Sequence, residues 1–154
     1  MDKPRPYVSA LLCEKILQEK DESLTLVRVA DRLQYRIEGK GLPEGIKPMI
    51  AINGLVSLKA GPVVGDHTVK IVGEKPNGER KELHSMSVNL MGKEHVTNII
   101  LNMGIGIDQD GLYWFDVVFD DEVLTRMPLL VTPAQMPSAE KPLQPEQKPG
   151  AQKT

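Results

Sequence analysis

The sequence predicts an all-β protein, an immunoglobulin-like antiparallel β-sandwich of about seven to eight strands with a disordered C-terminal tail. Three observations carry this prediction. Short apolar runs alternate with turn punctuation, "KDES", "KGLPEG", "AGPVVGD", "KPNGER", "MGKEH", "DQDG" and "DDE", at the spacing of about 8–15 residues found in sandwiches and barrels. Tyr113, Trp114, Phe115 and Phe119 are gathered in "GLYWFDVVFDDEVLTRMPLLV", which reads as the most heavily buried hairpin of a small β domain. The segment "PAQMPSAEKPLQPEQKPGAQKT" holds five prolines and no aromatic or β-branched residue before Thr154, too little apolar surface to offset the entropy of ordering it. The chain therefore divides into a sandwich domain, residues 1–132, and a Pro-rich disordered tail, residues 133–154. The PxxP spacing at Pro142–Pro145 fits an SH3-type ligand, but such spacings arise by chance in any Pro-rich stretch.

Taken in order, "MDKPRPYVS" is charged and has no apolar segment behind it, so no secretory signal is expected. No apolar run approaches the ~18 residues of a membrane span. The expectation is a soluble, cytoplasmic protein. In "SALLCEKILQEK", Leu12, Cys13, Ile16 and Leu17 fit a helical stripe by spacing. The short charged link to the alternating run "LTLVRVADRLQYRI" favours a strand instead. Asn77-Gly78 in "KPNGER" supplies the positive φ angles of a type I′ hairpin, joining a strand around Thr68–Glu74 to one around Lys81–Leu90.

In the aromatic hairpin, Tyr113, Phe115, Val117 and Phe119 share one face and point inward. Val123, Thr125, Met127, Leu129 and Val131 share a face of the next strand. Joining the two apolar faces pairs Phe119 with Val123 through a three-residue connection, Asp120–Glu122. A two-residue turn would drive Arg126 inward unless a bulge corrected the register. Pro128 places its missing N–H at an edge or on an unpaired side. Tyr113, following "DG", sits where a tyrosine corner bonds its hydroxyl back to the preceding loop.

A chain of 154 residues is one domain by length and buries enough surface to fold without metals or disulfides. A net charge of −2 argues against a general nucleic-acid binder, which needs a basic stripe. Cys13 is the lone cysteine, without an intramolecular partner or a local base to make it a nucleophile. His67, His84 and His95 lack close metal-ligand spacing. The glycines of "MGIGID" fail the dinucleotide fingerprint, whose third position would be Gln109. Asp108 and Asp110 stand at one end of the aromatic strand and Asp120, Asp121 and Glu122 at the other, about 30 Å apart at ~3.4 Å per residue. Each group could hold Ca²⁺ only with help from loops at its own pole. Leu112, Trp114 and Val118 lie on the outward face, and together they would form an apolar patch fit for a partner.

The blocks "ALLCEKILQEKDESLTLVRVADR", "GDHTVKIVGEKPNGE" and "DGLYWFDVVFDDEVLTRMPLLV" together resemble a bacterial family known only as a domain of unknown function. The resemblance implies a small β-sandwich in a bacterial, cytoplasmic setting. It implies no activity, and no functional residue carries over. In that family a glycine often follows the Asp of the first hairpin, whereas here Asp21 is followed by Glu22. The expectation is a non-catalytic structural or interaction module, acting through protein–protein contact with itself or another protein. The alternative is a Ca²⁺-dependent or carbohydrate-binding module. No catalytic, cofactor or metal residue is assigned, and neither nucleic acid nor membrane is expected as a partner.

Overall fold

The computed structural model describes residues 2–35 and 47–134. The "KGLPEG" turn, Ile37 and the predicted tail beyond Ala134 lie outside the described residues. The strands are β1 (Tyr7–Gln18), β2 (Leu24–Val29), β3 (Arg32–Tyr35), β4 (Met49–Glu74), β5 (Arg80–Gly106), β6 (Gly111–Phe119) and β7 (Glu122–Pro133). Among the described residues there is no helix. The all-β prediction holds, and "SALLCEKILQEK" lies on a strand.

The architecture rests on one long hairpin. β4 and β5 pair antiparallel from Met49–Gly106 to Glu74–Arg80, with register shifts between Lys59 and Val64. Before the shifts, β4 also pairs with β1, which pairs with β2. After them, β4 pairs with β6, which pairs with β7, and β3 joins β7 in parallel. The hairpin thus runs through two layers, β2–β1–β4–β5 and β5–β4–β6–β7–β3. Their inner faces meet in one core, where Leu12, Val56 and Leu101 of the first layer join Ile71, Phe115 and Leu129 of the second.

Two expected turns are corners instead. "AGPVVGD" and "MGKEH" do not reverse the chain; they are the facing bends at which the hairpin changes layers. Gly61 has φ of +55°, and a Cβ there would stand 2.9 Å from the Tyr7 ring. Only glycine fits that bend without displacing the ring. Opposite it, Gly92 and Lys93 also have positive φ, which bends β5 in step.

The run "LTLVRVADRLQYRI" is two strands rather than one. Arg28 takes φ of +54°, and after Val29 the chain leaves β1 and crosses to β7. The Leu130 N–H donates to Asp31 O at 2.9 Å as the second pairing begins. Leu130 thus points its N–H toward β3, so Pro128, two residues earlier, has its missing N–H on the same side. β3 first pairs at Leu130, and no ladder bond is lost at Pro128.

The aromatic hairpin differs from its predicted register. Phe119 faces Glu122, and Asp120 and Asp121 form a two-residue turn with φ of +43° and +68°, the left-handed pair of a type I′ turn. The register then shifts between Val117 and Val118, where Leu124 is the extra residue. This bulge returns Met127 opposite Phe115 and leaves Arg126 outward opposite Asp116. Tyr113, Phe115, Val117 and Phe119 are all buried. Tyr113 also forms its corner, donating from the hydroxyl to Gln109 O at 2.8 Å.

At "KPNG", Gly78 has positive φ but Asn77 does not. Gly78 N–H donates to Lys75 O at 2.8 Å, with Pro76 and Asn77 at the centre of the turn. Proline fixes φ near −65°, which suits the first central position of a type I turn and not of the expected type I′.

The first hairpin forms without the glycine. Glu22 takes φ of +68°, and the Ser23 N–H donates to the Asp21 carboxylate at 3.1 Å. A left-handed non-glycine residue costs about 1–2 kcal/mol, of which glycine's greater unfolded-state freedom cancels part. Glu22→Gly should therefore stabilise the protein by about 0.5–1 kcal/mol, read as a higher urea midpoint at unchanged m-value. An unchanged or lower midpoint contradicts this account of the turn.

Candidate interaction surface

The two layers present different outer faces. On the second layer, Trp114 pairs across to Glu74 and Asp116 to Arg126. Asp116 is only 2% exposed, and a carboxylate so buried needs countercharge. Arg126 Nε donates to Asp116 Oδ1 at 2.6 Å, and Arg80 donates to Oδ2 at 2.9 Å. Both arginines also reach the Glu74 carboxylate. The Arg126 guanidinium lies 4.6 Å over the Trp114 ring, a cation–π contact. The hydrogen bonds to Asp116 hold both guanidinium pKa values above their ordinary range.

Leu112, Trp114 and Val118 therefore do not make one patch. Leu112 is exposed, Trp114 is half-buried beneath Arg126, and Val118 is buried. Asp116 and its arginines stand between Trp114 and Val118. Alternation placed these side chains on one face correctly, but it does not reveal the charges that cover that face.

The loop acids engage neighbouring side chains. Asp108 accepts from Lys75 at 2.8 Å and Lys47 at 3.2 Å, and the lysines hold its carboxyl below the usual carboxylate range. Asp110 accepts from the Tyr35 hydroxyl. Asp120 accepts from the Thr68 N–H at 3.0 Å and pairs with His67 Nδ1. His67 turns Nε2 to Val64 O at 2.9 Å and stacks on Phe119 at 4.8 Å. Both ring nitrogens face acceptors, which favours the imidazolium. The Asp120 hydrogen bond leads in raising the His67 pKa, and His67 leads in lowering that of Asp120. Among the described residues, no three His, Cys, Asp or Glu side chains are gathered to hold one ion. Cys13 is fully buried, and desolvation pushes its thiol pKa up. A groove of ≈ 610 Å³ at one end of the layers is lined by Lys47, Lys75, Arg80, Tyr113 and Phe115 among others. Those three cations are already paired to Asp108, Asp116 and Glu74.

The first layer is different. Its cross-strand rows place Leu11, Leu55 and Ile100 in one outward line. Leu11 is 47% and Ile100 45% exposed. On one side lies the row Ser9, Ser57 and Asn98; on the other lies Cys13, Asn53 and Asn102. Farther out, Tyr7 and Val96 flank Lys59, the one charge in these rows. Met49 is exposed and lies over Gly104 and Gly106, where an added Cβ would touch its side chain at 3.4–3.5 Å.

β5 closes this layer and, among the described residues, pairs only with β4. Its free edge is unequal along its length. The first half carries Arg80, Lys81 and Glu82, whereas Val96–Ile107 carries no charge and no proline. Natural edge strands are usually blunted by charge, proline or bulges; this half has neither charge nor proline. This surface is hidden in the sequence because "MGKEH" has the composition of a turn. The signal was nonetheless present as the uncharged run "VTNIILNMGIGI".

Residues 8–132 match the model of DUF6941, a family of unknown function, and the chain belongs to that family. Among curated proteins, none matches the chain in sequence. In structure it is similar to part of a β-glucosidase from Listeria innocua, with 7% identity and a TM-score of 0.47, over 87% of this chain and 17% of that one. It is also similar to the CARDB domain of a Pyrococcus furiosus protein solved in complex with di-metal ions, with 15% identity and a TM-score of 0.43, over 83% of this chain and 90% of that one. The chain thus spans under a fifth of the glucosidase.

Two outcomes follow from the charged groups. Arg126→Ala removes one of two cations from a buried carboxylate and uncovers Trp114. Arg126 is 39% exposed, but the carboxylate it would leave behind is buried, so the variant should lose more stability than an ordinary surface substitution, with a red shift of tryptophan emission. A loss under about 0.5 kcal/mol, the scale of an ordinary surface substitution, contradicts this.

The His67 contribution is fully present below its unfolded pKa of about 6.5 and fades as pH rises through the raised folded value. The Asp120 contribution is present above about 3.9 and fades as pH falls through the lowered folded value. The pair therefore stabilises most between about pH 4 and 6.5. The stability gap between wild type and His67→Gln should narrow from about pH 5.5 to pH 8.5 in urea titrations. A gap that widens over that range refutes the assignment.

Proposed function

We propose that this member of the DUF6941 family is a non-catalytic structural module that acts through protein contact, using the outer face of the β1–β4–β5 layer. The observation that carries this reading is the row Leu11, Leu55 and Ile100, set among uncharged neighbours and continuous with the uncharged edge of β5. Exposed apolar side chains scattered singly are ordinary on a protein surface; a row of them bordered by an unprotected edge marks a contact site.

The polar side chains support the same reading. Cys13 is buried with its thiol pKa raised, the opposite of an activated nucleophile. The strongest acid–base pair, His67 with Asp120, spends its remaining ring nitrogen on Val64 O. The bond to Asp120 secures the β6–β7 turn, and with Nε2 on Val64 O no ring nitrogen is left to accept a substrate proton. The charged cluster around Asp116 likewise completes its own bonding.

The test is site-specific photocrosslinking with a benzophenone amino acid in place of Leu11, in cells that normally carry the protein. Position Lys70, on the outer face of the other layer, serves as the control. The expected result is a discrete protein adduct, homotypic or heterotypic, at position 11 and none at position 70. Equal labelling at both positions, or no adduct at position 11, refutes the reading.

A further inference from the structure

Resting on that reading, we infer that the occupant of the β5 edge is a second copy of the chain, paired antiparallel about a two-fold axis at Ile100. The sequence of the edge is self-complementary. Val96–Gly104 reads V-T-N-I-I-L-N-M-G, and about Ile100 it is nearly its own mirror image. In an antiparallel pair centred there, Ile100 meets Ile100, Ile99 meets Leu101, and Asn98 meets Asn102. Thr97 then faces Met103, and Val96 faces Gly104. Apolar residues meet apolar ones at the centre, and amide meets amide beside them. Each carboxamide carries both donors and an acceptor, so the two amides can bond across the axis. A C2 contact requires this self-complementarity, because the same patch serves both partners.

The faces agree with the edge. Ile99, Leu101 and Met103 point into the core of the first layer, whereas Asn98, Ile100 and Asn102 point outward. Two-fold pairing preserves both parities. The outward row Leu11, Leu55 and Ile100 then continues into Ile100, Leu55 and Leu11 of the second copy, across one eight-stranded sheet. The charge pattern selects this half of β5. Pairing centred on Val88 in the first half would set Glu82 against Glu94 twice, whereas pairing centred on Ile100 keeps Val96–Gly104 free of charge. Edge pairing satisfies the outward N–H and C=O groups of β5 that would otherwise depend on water.

The test uses the full chain, with buried Cys13 left in place. Directly opposed residues of an antiparallel pair have Cα atoms about 4.5–5.5 Å apart, within the span of a disulfide. Mild oxidation of Ile100→Cys should give a covalent dimer. Mixing Asn98→Cys with Asn102→Cys should give a heterodimer faster than either variant self-links, which fixes the register. Ser87→Cys, in the other half of β5, should remain unlinked. Wild type should sediment as a dimer at micromolar concentration. The double variant Asn98→Lys/Asn102→Lys places lysine opposite lysine twice, and its dimer dissociation constant should rise at least about tenfold. A wild type that sediments as a monomer throughout the micromolar range overturns the proposal. So does linking of Ser87→Cys as fast as Ile100→Cys. A heterotypic photoadduct at position 11 combined with a monomeric pure chain overturns the second copy but upholds the contact surface. Absence of any adduct refutes the surface itself.

Discussion

The bend at Gly61 is the constraint on which the rest of the molecule depends. Two strands of 26 and 27 residues are far longer than the usual five or six, and one flat sheet built on them could not enclose a core. The bend folds that sheet over itself. It requires a left-handed backbone angle at Gly61 beneath the Tyr7 ring and matching left-handed angles at Gly92 and Lys93 across the ladder. Two strands turning at the same place keep their pairing on both sides of the corner. Leu58 and Ala60 before the corner and Val63 after it are consequently buried in the same core.

From that corner the roles of the other strands follow. β1 and β2 extend one arm of the hairpin; β6, β7 and β3 extend the other. In both arms the added strands attach to β4, so β5 closes both layers at one side. The aromatic hairpin then fills the space between layers, and its register matters because Arg126 must face out. The two-residue turn alone would turn Arg126 toward the core, and the bulge at Leu124 restores its outward aim. Arg126 and Arg80 make it possible to bury Asp116. That pairing is weak evidence for net stability. It does fix which face of β6 meets the core, since the reverse register would strand a carboxylate in apolar surroundings.

Much of this was legible in the sequence, and the failures share a cause. The short charged link to an alternating run gave the strand at Leu12–Ile16, and period-two alternation gave the inward set Tyr113, Phe115, Val117 and Phe119, because burial on one face imposes that period directly. The tyrosine corner followed from Tyr113 standing just after Gly111. Local signals misled where a backbone bend can serve two purposes. Gly61, Gly65 and Gly92 look like reversals in one dimension, yet they bend a continuing ladder, and only the partner strand distinguishes the two. Pro76 overrode the usual meaning of Asn-Gly by fixing φ at the first central position. The surface was harder still. Trp114 was correctly placed outward, but its cover comes from Arg126, Glu74 and Arg80, which are distant in sequence. The uncharged edge was hidden because β5 was divided at "MGKEH" into two strands, each too short to look unprotected.

The distribution of charge between the layers gives the surface its meaning. Sandwiches with solvent on both sides keep charged residues on both outer faces, and the second layer does so with Glu74, Arg80, Asp116 and Arg126. The central rows of the first layer carry serine, asparagine, leucine and isoleucine, with Lys59 alone charged. Serine and asparagine are content in water, so polarity alone would not distinguish this face. What distinguishes it is that, Lys59 apart, these rows carry no charge that penalises close approach by another protein. A lysine on the edge of β5 would cost the isolated domain little, since edge lysines are a common protection against unwanted pairing. Arg80, Lys81 and Glu82 supply charge in the first half of the same strand, and nothing in backbone geometry prevents it in the second. The fold alone does not require this segment to be uncharged; the contact proposed for the edge does.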